Sequence, residues 1–250
     1  MQKHNALTAL LVLYTIAGSA NAGTLSVAVA SNFTAPMQEI AQVFEKRTGH
    51  TLALSFGSTG KFYTQIRQAA PFEVLFAADA ATPARIGQEG LGVQASRITY
   101  AVGTLVLWSP QPGLIDDGAA VLASERFARL AIANPDLAPY GAAAKQTLEQ
   151  LGLYARLRPK LVMGTSVSQA YQFVATRNAT LGLIALSQVY SNGRIKEGSA
   201  WIVPASFHQP IDQDAIVLNP GKSNPVASEL MQFMQTDLVR QILESYGYHR

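Results

Sequence analysis

The sequence predicts an α/β protein whose sheets are mostly parallel and flanked by helices. Continuous apolar runs of β-type residues recur, among them LSVAVA (25–30), EVLFAA (73–78), RLAIAN (129–134) and LGLIALS (181–187). Such runs mark strands whose two faces are both covered by helices. Segments of helical period alternate with them along the whole chain, the signature of strand–helix–strand units. The length of 250 residues and the 48% hydrophobic content allow one large domain or two modest lobes, each with a core.

The elements follow in order. After LSVAVA, Met37, Ile40, Ala41 and Phe44 stand at i, i+3, i+4 and i+7, one apolar helix face, with Gly49 as its stop. TLALSF (51–56), EVLFAA, TYAVGTLVLW (99–108) and RLAIAN are the next strands. A helix from Tyr140 to Leu151 ends before Gly152, and LRPKLVMG leads into a second apolar face at Val167, Ala170, Tyr171 and Val174. LGLIALS, AWIVPA (200–205) and AIVLNP (215–220) complete the strands, and two more helices fill 223–246. Two irregular stretches, Ser109–Gly118 and Pro204–Asp214, are rich in Pro, Gly and Asp, and either offers a passage between lobes. There is no internal repeat or low-complexity tract.

Residues 1–22 read as a secretory signal. Lys3 supplies the basic start, an apolar run spans Ala6 to Ala17, and Ala20-Asn21-Ala22 is an A-x-A-like cleavage site. The expected product is exported, soluble and begins near Gly23. A formal charge of +3 with no dense Lys/Arg run gives no footprint for nucleic acid. The chain has no cysteine, hence no disulfide and no thiolate metal site. His50, His208 and His249 lack the spacing that a catalytic zinc requires.

In open α/β sheets ligands collect where strands end and helices begin. Four such junctions look alike: Ser31-Asn32 after LSVAVA, Gly57-Ser58-Thr59-Gly60 after TLALSF, Pro135–Tyr140 after RLAIAN, and Thr165–Gln169 after LRPKLVMG. All carry small, hydroxyl or amide residues, with Asp136 the one acidic exception. Ser166-Val167-Ser168-Gln169 fits the S-x-x-Q capping box, which makes Val167 the first helical residue, with a free N–H. Helix starts carry unpaired N–H groups and about half a positive charge, so several facing one another form a neutral cage for a small oxyanion. Ser, Thr and Asn also cap helices everywhere, and one such junction alone means little. Asp136 has to point away from any such cage.

Two other readings of SFGSTGKF (55–62) compete. A nucleotide P-loop requires glycine where Ser55 stands and a hydroxyl where Phe62 stands, so it fails at both working positions. Ser58-Thr59-Gly60-Lys61 matches S-x-x-K, the serine–lysine pair of acylating enzymes, but the companion S-D-N and K-T-G motifs are absent. A periplasmic serine acyltransferase or hydrolase built on Ser58 and Lys61 is the alternative from a different class.

VAVASNFTAPM, SFGSTGKFYTQI, APFEVLFAADA, AIANPDLAPYGAAAK, LGLIALSQVY and the closing ESYGY together resemble the periplasmic molybdate-binding proteins of bacterial ABC importers, in the right order from Leu25 to Tyr248. The resemblance implies a two-lobed type II binding-protein fold, each lobe a mostly parallel sheet flanked by helices. Lobe 1 takes 23–102 with 210–250 returning to it, and lobe 2 takes 103–209. It implies a monomer without cofactor or catalysis that closes on molybdate or tungstate and delivers it to a membrane permease. Sulfate, phosphate or another oxyanion is the alternative within the class. Carried over by motif, Ser31 and Asn32 form the first contact loop and Ser58 or Thr59 the second, while Tyr140 and Val167 offer backbone donors. Many members carry a tyrosine just after the strand that here reads LGLIALS, where this chain has Ala185. The expectation is that the Tyr140 hydroxyl takes that role.

Overall fold

The computed structural model describes residues 22–249. The signal reading therefore lies outside the described residues, except for Ala22.

Ten of the strands form two five-stranded sheets. The first contains β1 (Thr24–Ala30), β2 (Thr51–Gly57), β3 (Val74–Phe76) and β4 (Ile98–Gly103). The second contains β5 (Leu105–Ser109), β6 (Leu130–Ala133), β7 (Leu161–Gly164) and β8 (Leu181–Ala185). A small hairpin follows, β9 (Tyr190–Ser191) and β10 (Arg194–Ile195). Then β11 (Ser199–Ile202) completes the second sheet and β12 (Ile211–Val217) the first. The orders are β2-β1-β3-β12-β4 and β11-β5-β8-β6-β7. In each sheet a single strand opposes the other four: β12 in the first and β5 in the second. Each sheet is thus mixed, with four strands running one way and two of its four neighbouring pairs antiparallel.

The chain crosses between sheets at Gly103–Leu105 and again between Ile202 and Ile211. The run TYAVGTLVLW, read as one strand, is therefore two strands in different sheets. Only Gly103-Thr104 interrupts its apolar residues, and most of both halves is buried, so the pattern reads through the turn. Gly103 is where geometry makes the mark, since a Cβ there would collide with the Tyr140 hydroxyl and the Gln213 amide. The last strand starts at Ile211, inside the stretch expected to be irregular. IDQD looks like a loop, yet Gln213 and Asp214 are buried and partnered within the sheet.

Helices cover both faces of each sheet. On the first, α1 (Thr34–Thr48) packs with α9 (Pro225–Phe233) and α10 (Asp237–Ser245) over one face, burying Phe33, Met37, Ile40, Phe44, Leu230, Val239 and Leu243. The other face is covered by α2 (Thr59–Arg67) and α3 (Ala81–Gln88), through Phe62, Ile66 and Ile86. The second sheet has its own core. It is closed by the short α4 (Ala120–Ala123), α5 (Pro139–Gln150), α6 (Tyr154–Leu157) and α7 (Val167–Ala175), with Trp108 and Ile132 at 0% exposure. A short α8 (Leu186–Val189) follows β8. Burial of such side chains contributes roughly 1.5–3 kcal/mol apiece.

Candidate anion-binding site

Four helical starts meet where the two sheets face each other. Ser31–Phe33 forms a single 3-10 turn leaving β1, and Phe33 anchors it. The Phe33 ring lies 4.7 Å from Tyr100 and 5.5 Å from Tyr248, centroid to centroid, with no solvent exposure. Ser58 precedes α2 in extended conformation, and its side chain makes no capping bond. Pro139 opens α5, where its missing N–H and fixed φ suit the first helical position. Ser166 caps α7 and accepts from the Gln169 N–H at 3.2 Å. The reciprocal half of the expected capping box reaches one residue further back, to the Thr165 N–H.

All six expected residues, Ser31, Asn32, Ser58, Thr59, Tyr140 and Val167, line one small cavity. Ala30, Gly57, Ala78, Ala138 and Pro139 complete its wall. No lysine, arginine, histidine or carboxylate is in that wall, so what it offers is neutral donors and small side chains. The N–H groups of Tyr140 and Val167 belong to first helical turns and have no intrahelical acceptor. Asp136 is exposed and lines the adjoining cleft instead, as does Asp79. The Asp79 carboxylate is held by the N–H and hydroxyl of Thr82, and burial raises its pKa.

The two hydroxyls after β2 differ in a way that sequence left open. Thr59 is committed to structure, its Oγ1 accepting the Ala78 N–H at 3.0 Å. Ser58 is 3% exposed and its Oγ has no hydrogen-bond partner. A buried hydroxyl left unpaired costs about 1–3 kcal/mol, and Ser58 Oγ carries that cost in this structure. Its partner is not Lys61, which is exposed and makes no bond to it. A serine–lysine nucleophile needs that bond.

The Tyr140 hydroxyl, expected at the anion, has a protein partner. It accepts from Gln213 Nε2 at 3.2 Å and abuts Gly103, and neither residue lines the cavity. Gln213 Oε1 in turn accepts from Asn32 Nδ2 and from the Tyr100 hydroxyl, both at 2.9 Å. Asn32 Nδ2 also donates to the Tyr248 hydroxyl at 2.9 Å. The Asn32 amide thus has both its donors engaged in a buried network, whereas the Tyr140 hydroxyl accepts there and keeps its own O–H to donate. Burial raises the pKa of Tyr100 and Tyr140 well above the ordinary phenol value and pushes Tyr248 up to about 12, so all three stay neutral at physiological pH. Gln213, Tyr100 and Tyr248 escaped the reading of junctions because they lie in a strand interior or at the chain end. Two buried polar residues in β12 were the one local hint.

Helix starts from two sheets converging on a small cavity of neutral donors define a two-lobed binding protein. The chain belongs to the bacterial extracellular solute-binding protein family, whose family model matches residues 25–249. Within it, the chain is 53% identical over 233 residues to the molybdate-binding protein ModA of Azotobacter vinelandii, covering 93% of this chain and 92% of that one. It is 47% identical over 241 residues to ModA of Rhodobacter capsulatus, covering 96% and 94%. The solved Azotobacter vinelandii periplasmic molybdate-binding protein superposes with a TM-score of 0.88 at 38% identity, covering 90% of this chain and 99% of that chain. The chain is a member of the molybdate-binding branch of that family.

Proposed function

We propose that this protein binds one molybdate or tungstate dianion between its lobes in the periplasm and hands it to an ABC permease. The observation that carries the reading is the unpartnered Ser58 hydroxyl in a cavity walled by helix starts and free of charged side chains. Ser58 Oγ, the Ser31 hydroxyl and the N–H groups of Asn32, Thr59, Tyr140 and Val167 are the proposed donors. Lobe 1 is 23–102 with 210–250, lobe 2 is 103–209, and the leader 1–22 directs export of a monomeric receptor without cofactor or catalysis.

Hydrogen bonds to a charged acceptor contribute about 1.5–3 kcal/mol each. Six or so support roughly −12 kcal/mol, nanomolar affinity, after ordering and desolvation costs. Four of the six donors are N–H groups that cannot accept a proton, so a hydrogen-bearing oxyanion can place its O–H only against the Ser31 or Ser58 oxygen and is disfavoured. A rigid wall spaced for a metal oxyanion stretches every bond to the smaller sulfate.

Isothermal titration of the ligand-stripped protein with molybdate, tungstate and sulfate tests this. Tight one-to-one binding of the two metal oxyanions with sulfate silent is the expected result. Sulfate binding as tightly would transfer the protein to another oxyanion.

A further inference from the structure

We infer that Ser168 and Ser187 are positioning residues that couple closure of the lobes to anion affinity, an inference that rests on the site proposed above. Neither lines the anion cavity. Both reach from the second-sheet side to the main-chain carbonyls of the first contact loop. Ser168, in the first turn of α7, donates through Oγ to the Ser31 carbonyl at 2.9 Å. Ser187, at the start of α8, donates through Oγ to the Asn32 carbonyl at 2.8 Å. Gln188 Nε2 lies 3.4 Å from Ser168 Oγ and donates to it, which leaves that hydroxyl to act as the donor.

The geometry ties latch and site together through single peptide planes. The carbonyl that Ser168 engages belongs to the peptide whose N–H is that of Asn32, a proposed anion donor. A carbonyl that accepts a hydrogen bond polarises its own peptide and strengthens the N–H on the opposite edge. The same turn of α7 that carries Ser168 also presents the Val167 N–H to the cavity. Docking the Ser168 hydroxyl therefore brings that donor to its working position.

The latch is cheap to open. The Ser31 carbonyl keeps the Thr34 hydroxyl at 2.8 Å, and the Asn32 carbonyl keeps the Tyr248 hydroxyl at 3.0 Å, both from the first-sheet side. Opening strands neither acceptor, and the two serine hydroxyls pass to water. Closure then depends on the anion to tip the balance, as a receptor that must release its cargo requires.

The test compares Ser168→Ala, Ser187→Ala, the double variant and Ser168→Thr with wild type. Molybdate dissociation rates are read by stopped flow, and lobe separation by electron–electron resonance between spin labels at Lys46→Cys and Gln150→Cys. The chain has no native cysteine to interfere. Each alanine variant is expected to release molybdate about five- to tenfold faster with an unchanged association rate, the loss of one hydrogen bond. The double variant should also show a longer label separation under ligand, and Ser168→Thr should restore the wild-type rate. Ser168 is only half-buried, so its single variants keep the test open even if Ser187→Ala folds poorly. Wild-type dissociation rates in the alanine variants, while Ser58→Ala binds weakly, would overturn the coupling and leave the site intact. Wild-type affinity in Ser58→Ala would instead overturn the site.

Discussion

The main-chain N–H of Gly60 donates to the carbonyl of Leu137 at 3.0 Å, one backbone on each side of the cleft. The approach is tight: a Cβ on Gly60 would stand 3.0 Å from the Leu137 oxygen and 3.2 Å from its Cα, so the Leu137 backbone would have to give way. Gly60→Ala places alanine in a first helical turn, where it favours the helix by up to about 1 kcal/mol. Thermal stability of the ligand-free protein should hold or rise, while molybdate affinity falls about tenfold as full closure is blocked. Calorimetry and titration read the two effects separately, and unchanged affinity would show that this contact does not limit closure.

Ser58→Ala and Thr59→Val separate the neighbouring hydroxyls. Removing the unpartnered Ser58 hydroxyl should leave the ligand-free melting temperature unchanged or higher and weaken molybdate binding roughly 10- to 100-fold, one or two units of about 1.4 kcal/mol. Thr59→Val strips the Ala78 N–H of its acceptor and should destabilise the fold by about 1–3 kcal/mol. The reverse pattern would exchange their roles.

Tyr140→Phe keeps the main-chain donor and removes the acceptor of Gln213 together with the phenol's own O–H. The expected result is a stability loss of about 1–2 kcal/mol with molybdate affinity within a few-fold of wild type. A hundredfold loss of affinity would return the phenol to the anion.

Affinity should be flat from pH 6 to 9, because no group in the cavity wall changes charge there. Stability behaves otherwise at high pH. Tyr248 has its pKa pushed up to about 12 by burial, against about 10 in an unfolded chain. Between those values the unfolded chain has released a proton that the folded protein still holds. Its contribution is therefore fully present below pH 10 and is lost as pH rises through 12. Tyr100 and Tyr140 shift in the same direction. Ultraviolet titration should show these phenols ionising together with unfolding, and an early titration of all tyrosines near pH 10 in the folded protein would contradict their burial.

By itself the sequence determined the strand–helix alternation, the helix starts and the residues at them, because each rests on local physics. Periodicity marks a buried face, and a small polar residue before that face marks a start with free N–H groups. Ser31, Asn32, Ser58, Thr59, Tyr140 and Val167 were legible for that reason, although they span 137 positions of the chain. Their convergence came only from the resemblance, since spacing says nothing about which junctions face each other. The tertiary structure alone decided what each side chain does once there. It divided TYAVGTLVLW between two sheets, found a strand in IDQD, and paired Thr59 with Ala78 while leaving Ser58 alone. It also turned the Tyr140 hydroxyl to Gln213, 73 residues away. Hydrogen bonds between residues so far apart depend on how the sheets pack, and no local pattern encodes that.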